Sequence, residues 1–137
     1  RLGSDFYKVD TYGNRYFTFR AGPPNGDTGG CSPTGPLTSS LNRAAGLNTA
    51  LWFPLERLAY KPSDEDRLIE AMLMRDQGYD DNLPYACFPE NDNGYYNSNS
   101  FAAGLINAVG LPLPRRPGAF PRLFPGWLKP IPNNLYY

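Results

Sequence analysis

The distribution of proline constrains the fold of this chain more than any other feature. Seven prolines fall between residues 112 and 132, in the sequence "PLPRRPGAFPRLFPGWLKPIPNNLYY". Proline fixes φ and lacks an amide hydrogen, so this segment cannot form a helix and is poorly suited to a central strand. Its Leu, Phe and Trp side chains argue against a free linker. We therefore expect residues 112–137 to form an extended arm that packs on a core domain of residues 1–111 and buries Phe120, Phe124 and Trp127.

The same segment has a second interpretation. "PLPRRP", residues 112–117, has the composition of a polyproline ligand, which binds a partner domain through an exposed PxxP face. The two interpretations differ in what happens when residues 112–137 are removed. A ligand leaves the rest of the domain folded, whereas a packed arm does not.

The N-terminal residues are typical of antiparallel strands. Residues 5–20, "DFYKVDTYGNRYFTFR", alternate apolar and polar side chains on both sides of a Gly13–Asn14 turn, which predicts a β-hairpin. Residues 21–36 are rich in glycine and proline, which favours a loop.

Helical signals follow in the middle of the chain. Residues 63–75, "SDEDRLIEAMLMR", begin with a capping serine, Ser63, and their first turn is acidic, which complements the positive end of a helix dipole. Residues 38–51 also favour a helix, capped by residues 38–40, although a glycine and asparagines within it weaken the pattern.

The last helical pattern spans residues 98–109. Phe101, Leu105 and Val109 fall on one face, and Gly110 suits the position that follows a helix C-terminus. These patterns predict an α+β fold. A small antiparallel sheet that starts with the N-terminal hairpin would pack on two or three helices, and the proline-rich arm would close the domain.

Charge and hydropathy exclude two classes of partner. The chain carries 13 basic and 13 acidic residues, whereas a nucleic-acid-binding domain normally has a basic excess. No apolar run approaches the ~20 residues of a transmembrane helix. We expect neither a nucleic-acid partner nor a membrane span. Because the sequence begins at Arg1 without an initiator methionine, we expect a processed product or a piece of a longer polypeptide.

The two cysteines, Cys31 and Cys87, lie in turn-rich surroundings. A disulfide between them would close a long loop and place the protein outside the reducing cytosol, in a secreted or extracellular location. The alternative is two unrelated thiols. Neither cysteine has the spacing or the accompanying histidine of a zinc site, so we expect no metal and no cofactor.

Residues 97–101, Asn-Ser-Asn-Ser-Phe, stand before an apolar helix and resemble the Asn-Cys-x-x-Phe segment of circularly permuted papain-like hydrolases. That group includes permuted NlpC-type amidases and lecithin:retinol acyltransferase-like enzymes. The resemblance implies a cysteine nucleophile at the start of a late helix and a catalytic histidine on an early strand. "YFTFRAGP" and "FPGWLKPIP" are also similar to modules at the ends of large secreted bacterial proteins, such as filamentous-haemagglutinin-like and Rhs-like polymorphic toxins and phage-associated proteins.

The chain departs from that family at both catalytic positions. Ser98 stands where the family has its cysteine, and the chain contains no histidine. A serine hydroxyl is far harder to ionise than a thiol and needs a general base. Asp5 or Asp10 would serve only if burial raised its pKa, and Lys8 only if burial lowered its pKa. Residues 97–100 are also all preferred helix caps, which accounts for the segment without catalysis.

Two explanations keep catalysis open despite these departures. The histidine would lie upstream of Arg1, or Ser98 would replace a natural cysteine. Otherwise the chain keeps the fold of the family and has lost its chemistry.

Other polar and aromatic groups have structural explanations beside functional ones. The acidic residues of the 63–75 helix suit its dipole better than acid–base catalysis. Asp80, Asp81, Glu90 and Asp92 offer oxygen ligands for Ca²⁺ but lack the spacing of an EF-hand loop. Tyrosines provide contact area for a partner at low entropic cost, or they pack at the margin of the core. The candidate interaction residues are Tyr95, Tyr96, Phe120, Phe124 and Trp127.

The sequence therefore favours a noncatalytic structural or protein-interaction module of a larger secreted or surface-assembled protein. Its partner would be another protein, or other copies or segments of its own parent. The first alternative is a papain-fold amidase or acyltransferase-like hydrolase with Ser98 as nucleophile. The second is a proline-rich ligand for a partner domain.

Overall fold

The described residues form two antiparallel sheets and two α-helices. A computed structural model of the chain describes residues 8–9, 11–13, 15–16, 19–22, 36–41, 58–91, 94–114 and 125–136. The first sheet pairs β1 (Lys8–Val9) with β2 (Arg15–Tyr16). The second has the order β3 (Phe19–Gly22), β4 (Pro36–Leu41), β5 (Leu83–Pro84). The helices are α1 (Glu65–Gln77) and α2 (Ser98–Ala108). The α+β prediction is confirmed.

The predicted hairpin is present, but it forms a sheet of its own. Lys8 pairs with Tyr16, and Gly13 in the turn has a φ of 82°, a left-handed conformation that glycine adopts without strain. The three-stranded sheet begins instead at Phe19, which pairs with Leu41. The expected sheet that starts with the hairpin is therefore corrected: within the described residues, the hairpin and the larger sheet are separate.

The prediction of a helix that starts at residues 38–40 is wrong, because these residues belong to β4. Leu37 is fully buried and pairs with Leu83 of β5, while Ser39 pairs with Ala21 of β3. Residues 38–41 gain more from pairing with β3 than "TSSL" gains from any local preference. The rest of that expected helix lies outside the described residues.

Both other predicted helices are confirmed, with one change at a cap. α1 follows a 3₁₀ turn at Pro62–Asp64, and its N-cap is Asp64, which makes no side-chain capping bond. Ser63 is therefore not the cap. α2 is followed by Gly110, whose φ of 82° is the left-handed conformation expected after a helix C-terminus. Neither helix has the length and apolar character that crossing a membrane requires, and this holds for the described part of the chain.

The core forms where α2 packs on β3 and on α1. Three aromatic rings lie at its centre, with centroids 5.2 Å apart for Tyr79 and Phe101 and 5.6 Å apart for Phe101 and Tyr136. The Tyr79 hydroxyl donates to the Leu37 carbonyl at 2.8 Å, and the Tyr136 hydroxyl donates to the Phe101 carbonyl at 2.7 Å. Both hydroxyls are thus paired, as buried polar groups require. The remaining buried members of this core are Ala21, Leu37, Leu105 and Ile131.

Residues 125–136 of the arm pack against α2. Trp127 is 5% exposed and Ile131 1% exposed, and the Ile131 amide donates to the Ser100 carbonyl at 3.1 Å. A Cβ atom placed on Gly104 of α2 would lie 2.7 Å from the Ile131 carbonyl oxygen and 2.7 Å from the Tyr136 hydroxyl. The arm therefore approaches α2 closely enough to require glycine at this position.

We predict that Gly104→Ala destabilises the protein by about 1–3 kcal/mol through this overlap. By helix propensity alone, replacing glycine with alanine inside a helix would stabilise the protein by roughly 1 kcal/mol. A loss of stability would therefore report the overlap with the arm. Urea denaturation measures it. Gly110→Ala is the control, because nothing lies within 4 Å of its added Cβ and only its backbone conformation is strained. A Gly104→Ala protein as stable as the wild type would contradict this packing.

Candidate functional site

The N-terminus of α2 is held in place by Asn97, a residue that is 3% exposed. Its Oδ1 accepts a hydrogen bond from the Ser100 amide at 3.0 Å, which caps the helix. Its Nδ2 donates to the carbonyl of Pro125 at 2.7 Å and to the carbonyl of Cys87 at 3.1 Å. One side chain thus joins the helix, the arm and the loop before the helix.

Ser100 makes the second connection between the helix and the arm. Its hydroxyl is fully buried and lies 3.1 Å from the Gly126 carbonyl oxygen and 3.3 Å from Asn97 Oδ1. The single hydroxyl hydrogen is donated to one acceptor at a time, and the Gly126 carbonyl is the nearer. We call the contact of residues 97–100 with residues 125–131 the arm junction.

Gly126 of the arm lies close to the N-terminus of α2. Its φ is 89°, and a Cβ added to it would overlap Asn97 Oδ1. Its amide donates to the Glu90 carboxylate, which comes from a 3₁₀ turn at Pro89–Asn91. A side chain at position 126 would both strain the backbone and displace Asn97.

Lys129 extends the arm junction to the loop before α2. Its ammonium group donates to the Pro89 carbonyl at 2.8 Å and lies 4.9 Å from the centroid of the Tyr96 ring. A cation at this distance from an aromatic face is attracted to the ring by its quadrupole. The arm is therefore attached by hydrogen bonds and by one cation–π contact.

Ser98, the candidate nucleophile, is the first residue of α2 and is exposed. Within the described residues, no carboxylate or amine forms a hydrogen bond with its hydroxyl. Asp5 and Asp10 lie outside the described residues, and of Lys8 only the backbone in β1 is described. The structure thus brings Ser98 to an accessible helix N-terminus and leaves the predicted base untested.

The predicted interaction residues have different environments. Tyr95 is exposed and Tyr96 is half-buried beneath Lys129. Trp127 is buried, as expected for an arm that packs on the domain. It therefore offers little surface to a partner, and its prediction as an interaction residue is corrected. Phe120 and Phe124 lie outside the described residues. Phe88 and Leu128, which the sequence did not indicate as contact residues, are among the exposed apolar side chains of the described residues.

The oxygen ligands considered for Ca²⁺ are partly engaged elsewhere. Glu90 accepts from the Gly126 amide, and Asp81 Oδ1 accepts from the Ser39 amide at 2.6 Å. Asp92 lies outside the described residues. No group of three or more acidic or cysteine side chains that could hold a metal ion occurs among the residues for which the structure gives positions.

Cys87 is disulfide-bonded. The chain has one other cysteine, Cys31, which lies outside the described residues. The loop that follows Cys87 carries Pro89 and Glu90, both of which bind the arm. A covalent bond at Cys87 therefore anchors one side of the arm junction.

Asp76, which sequence analysis did not single out, is a buried carboxylate in α1. It is 6% exposed, and its Oδ1 has no hydrogen-bond partner in the described part of the chain. Asp76 follows the amphipathic pattern of residues 63–75 directly and falls three residues after Leu73, on the buried side of the helix, which gives a weak signal. The charge of an aspartate gave no reason to expect its burial there.

Comparison with known proteins adds no relative. No protein-family model, no curated protein and no solved structure matches this chain. The geometry of the described residues therefore carries the functional argument.

We predict that Asn97→Ala lowers the free energy of unfolding by about 2–4 kcal/mol, because it removes a cap and the hydrogen bonds to the Cys87 and Pro125 carbonyls, of which Pro125 keeps only the bond from Asn99. Ser98→Ala, one residue away and exposed, should change it by less than ~0.5 kcal/mol. Chemical denaturation compares the two.

Asn97→Asp separates the two roles of Asn97. Aspartate caps a helix as well as asparagine does, but it cannot donate to the Cys87 and Pro125 carbonyls. We expect a loss close to that of Asn97→Ala. If Asn97→Asp is as stable as the wild type, the contact with the arm contributes nothing and only the cap matters.

Proposed function

We propose that this chain is a noncatalytic structural or protein-interaction module of a larger secreted or surface-assembled protein. The arm junction is the observation that carries this proposal. At the helix N-terminus where the papain-like resemblance would place a nucleophile, the buried polar groups of Asn97 and Ser100 bind the arm.

The hydrogen bonds of the arm junction favour a structural role over catalysis by serine. Catalysis by serine requires a base within hydrogen-bonding distance and groups that remain free to bind the substrate. Here the Asn97 amide uses its oxygen for the helix cap and its nitrogen for Pro125 and Cys87. Groups that are paired within the chain stabilise the fold and are not available to a substrate.

Apolar side chains that neighbour the junction residues in sequence are exposed. Phe88, Tyr95 and Leu128 are 54%, 42% and 69% exposed. Phe88 precedes Pro89, Tyr95 precedes Tyr96, and Leu128 precedes Lys129. Lys129 connects these three places, because its ammonium group contacts both the Pro89 carbonyl and the Tyr96 ring. Exposed aromatic and aliphatic side chains on a fixed backbone suit a protein partner, including other copies or segments of the parent protein.

The disulfide bond at Cys87 supports a secreted or extracellular location. Disulfides persist in oxidising compartments and are rare where glutathione keeps thiols reduced. A covalent anchor beside the arm junction also suits a module that holds its shape outside the cell.

A papain-fold amidase or acyltransferase-like hydrolase is the second candidate. The exposure of Ser98 at the first residue of α2 is the observation that favours it. Its base would have to come from residues outside the described part of the chain, such as Asp5 or Asp10.

A fluorophosphonate probe distinguishes the two candidates, because it reacts with a serine only when a base activates the hydroxyl. We expect no covalent adduct on the wild-type chain by intact mass spectrometry, and no difference between wild type and Ser98→Ala in ester or amide hydrolysis. A serine hydrolase treated in parallel verifies the probe. An adduct on the wild type that Ser98→Ala abolishes would establish the hydrolase instead.

Removal of residues 112–137 tests the role of the arm. We expect the truncated chain to unfold or aggregate, because it loses the buried side chains of Trp127, Ile131 and Tyr136, each of which contributes roughly 1.5–3 kcal/mol. Near-ultraviolet circular dichroism and sedimentation measure the outcome. Leu128→Ser in the full chain is the control, since this side chain is exposed and its loss should leave the fold intact. A folded truncated domain would favour the proline-rich ligand.

A further inference from the structure

Asp76 is a buried carboxylate for which the fold supplies too few partners. It lies in the last turn of α1, is 6% exposed, and has an unpartnered Oδ1 in the described part of the chain. A carboxylate removed from water without full hydrogen bonding is costly when ionised and much less so when neutral. Such a position favours a bound proton.

The groups that face Asp76 come from three other parts of the fold. They are Asp81 from the loop after α1, Ser39 from β4, and Tyr136 near the end of the arm. A hydrogen bond with Ser39 lowers the pKa of Asp76, whereas the like charge of Asp81 raises it. Tyr79, in the same loop as Asp81, donates its backbone amide to the Asp76 carbonyl at 3.2 Å. The neighbouring cation on α1, Arg75, donates Nη1 to the backbone carbonyl of Tyr136 at 2.8 Å. The Asp76 carboxylate therefore has as neighbours a second carboxylate, Asp81, and the hydrogen bond by which Arg75 holds Tyr136.

Asp81 is held in position by its backbone and by a hydrogen bond, so moving it away from Asp76 would cost free energy. Its φ is 56°, a left-handed conformation, and its Oδ1 accepts from the Ser39 amide at 2.6 Å. Separating the two carboxylates would break this bond between the loop and β4. The repulsion between Asp76 and Asp81 is therefore relieved by protonation or by movement of the segments packed on them.

The C-terminal residues are the segment that such movement would release. Tyr136 pairs with Tyr79 in an antiparallel bridge, and its ring lies 5.9 Å from the Tyr79 ring between centroids. Burial above all, and then the charges of Tyr79 and Asp76, raise the pKa of the Tyr136 hydroxyl. The Tyr79 amide donates to the Asp76 carbonyl at 3.2 Å, so the bridge between Tyr79 and Tyr136 begins at the end of α1 that carries Asp76. We infer that Asp76 and Asp81 form a proton-controlled latch, which holds residues 131–136 tightly against α1 and α2 when Asp76 is protonated and loosens them when Asp76 is ionised.

The direction of the pH dependence follows from the pKa of Asp76. Burial, followed by the charge of Asp81, raises this pKa from 3.8 to about 6, against the hydrogen bond from Ser39, which lowers it. A pKa that is higher in the folded state contributes stability that is complete below about pH 3.8 and is lost as the pH rises through about 6. A difference of about two pH units corresponds to roughly a hundredfold change in the unfolding equilibrium constant.

Equilibrium denaturation of the full chain between pH 4 and pH 8 tests the latch. We expect the unfolding constant of wild type, divided by that of Asp76→Asn, to rise up to about a hundredfold over this range, with a midpoint near pH 6. Asp81→Asn keeps an oxygen for the Ser39 amide and removes the like charge, so the midpoint should move to lower pH. Asp80→Asn, at an exposed neighbouring position, should leave the midpoint unchanged.

Hydrogen exchange locates the effect in the C-terminal segment. At pH 7.5 the amides of Ile131 and of residues 133–136 should exchange faster in wild type than in Asp76→Asn, and at pH 5 the two proteins should exchange alike. Comparison at one pH cancels the intrinsic chemical rate. A ratio of unfolding constants that does not change with pH would overturn the latch, as would equal exchange at both pH values. If Asp76→Asn does not fold, the ¹³C carboxyl titration of Asp76 in wild type and in Asp81→Asn decides, and an ordinary, unshifted midpoint overturns it.

Discussion

The backbone of a proline-rich segment has acceptors that regular secondary structure cannot pair, and the rest of this structure depends on how they are satisfied. Prolines lack amide hydrogens, and they interrupt the ladders in which neighbouring carbonyls would otherwise bond. Here side chains replace those ladders. The Pro125 carbonyl accepts from the side-chain amides of Asn97 and Asn99, and the Gly126 carbonyl accepts from the Ser100 hydroxyl. The polar residues at the start of α2 therefore do for the arm what a neighbouring strand does in a sheet.

The hydrophobic core depends on the same docking. Tyr136 and Ile131 of the arm lie beside Phe101 and Leu105 of α2, and Gly104 is the point at which the two backbones approach. Without residues 125–136, one face of α2 would be exposed to water. The arm is therefore a layer of the core, and its polar contacts at the junction fix the register in which the apolar side chains meet.

Two features of the site illustrate how local chemistry is decided by surroundings. The segment Asn-Ser-Asn-Ser has the residue types of both a helix cap and a nucleophile position. In the structure Asn97 caps and Ser100 binds the arm, while Ser98 faces outward. At Asp76 the surroundings disfavour the ionised form of the side chain, because burial and the neighbouring carboxylate of Asp81 both raise its pKa. A local inconsistency of this kind is expected where a protein responds to its environment.

The sequence by itself determined the elements that depend on neighbouring residues. The hairpin around Gly13, the helices near residues 65 and 98, and the left-handed Gly110 all follow from period, capping and turn chemistry. The proline count excluded a helix in the arm for the same local reason.

Tertiary structure decided everything that depends on distant contacts. Residues 38–41 are a strand because β3 pairs with them, and Asn97 rather than Ser98 is the cap because the carbonyls of Pro125 and Cys87 need its amide. Arg75 and Tyr136 are 61 residues apart in the chain, and Ser39 and Asp81 are 42 apart. Local preferences of a few tenths of a kcal/mol to about 1 kcal/mol per residue cannot specify such pairs, since burial and the pairing of buried polar groups involve larger energies.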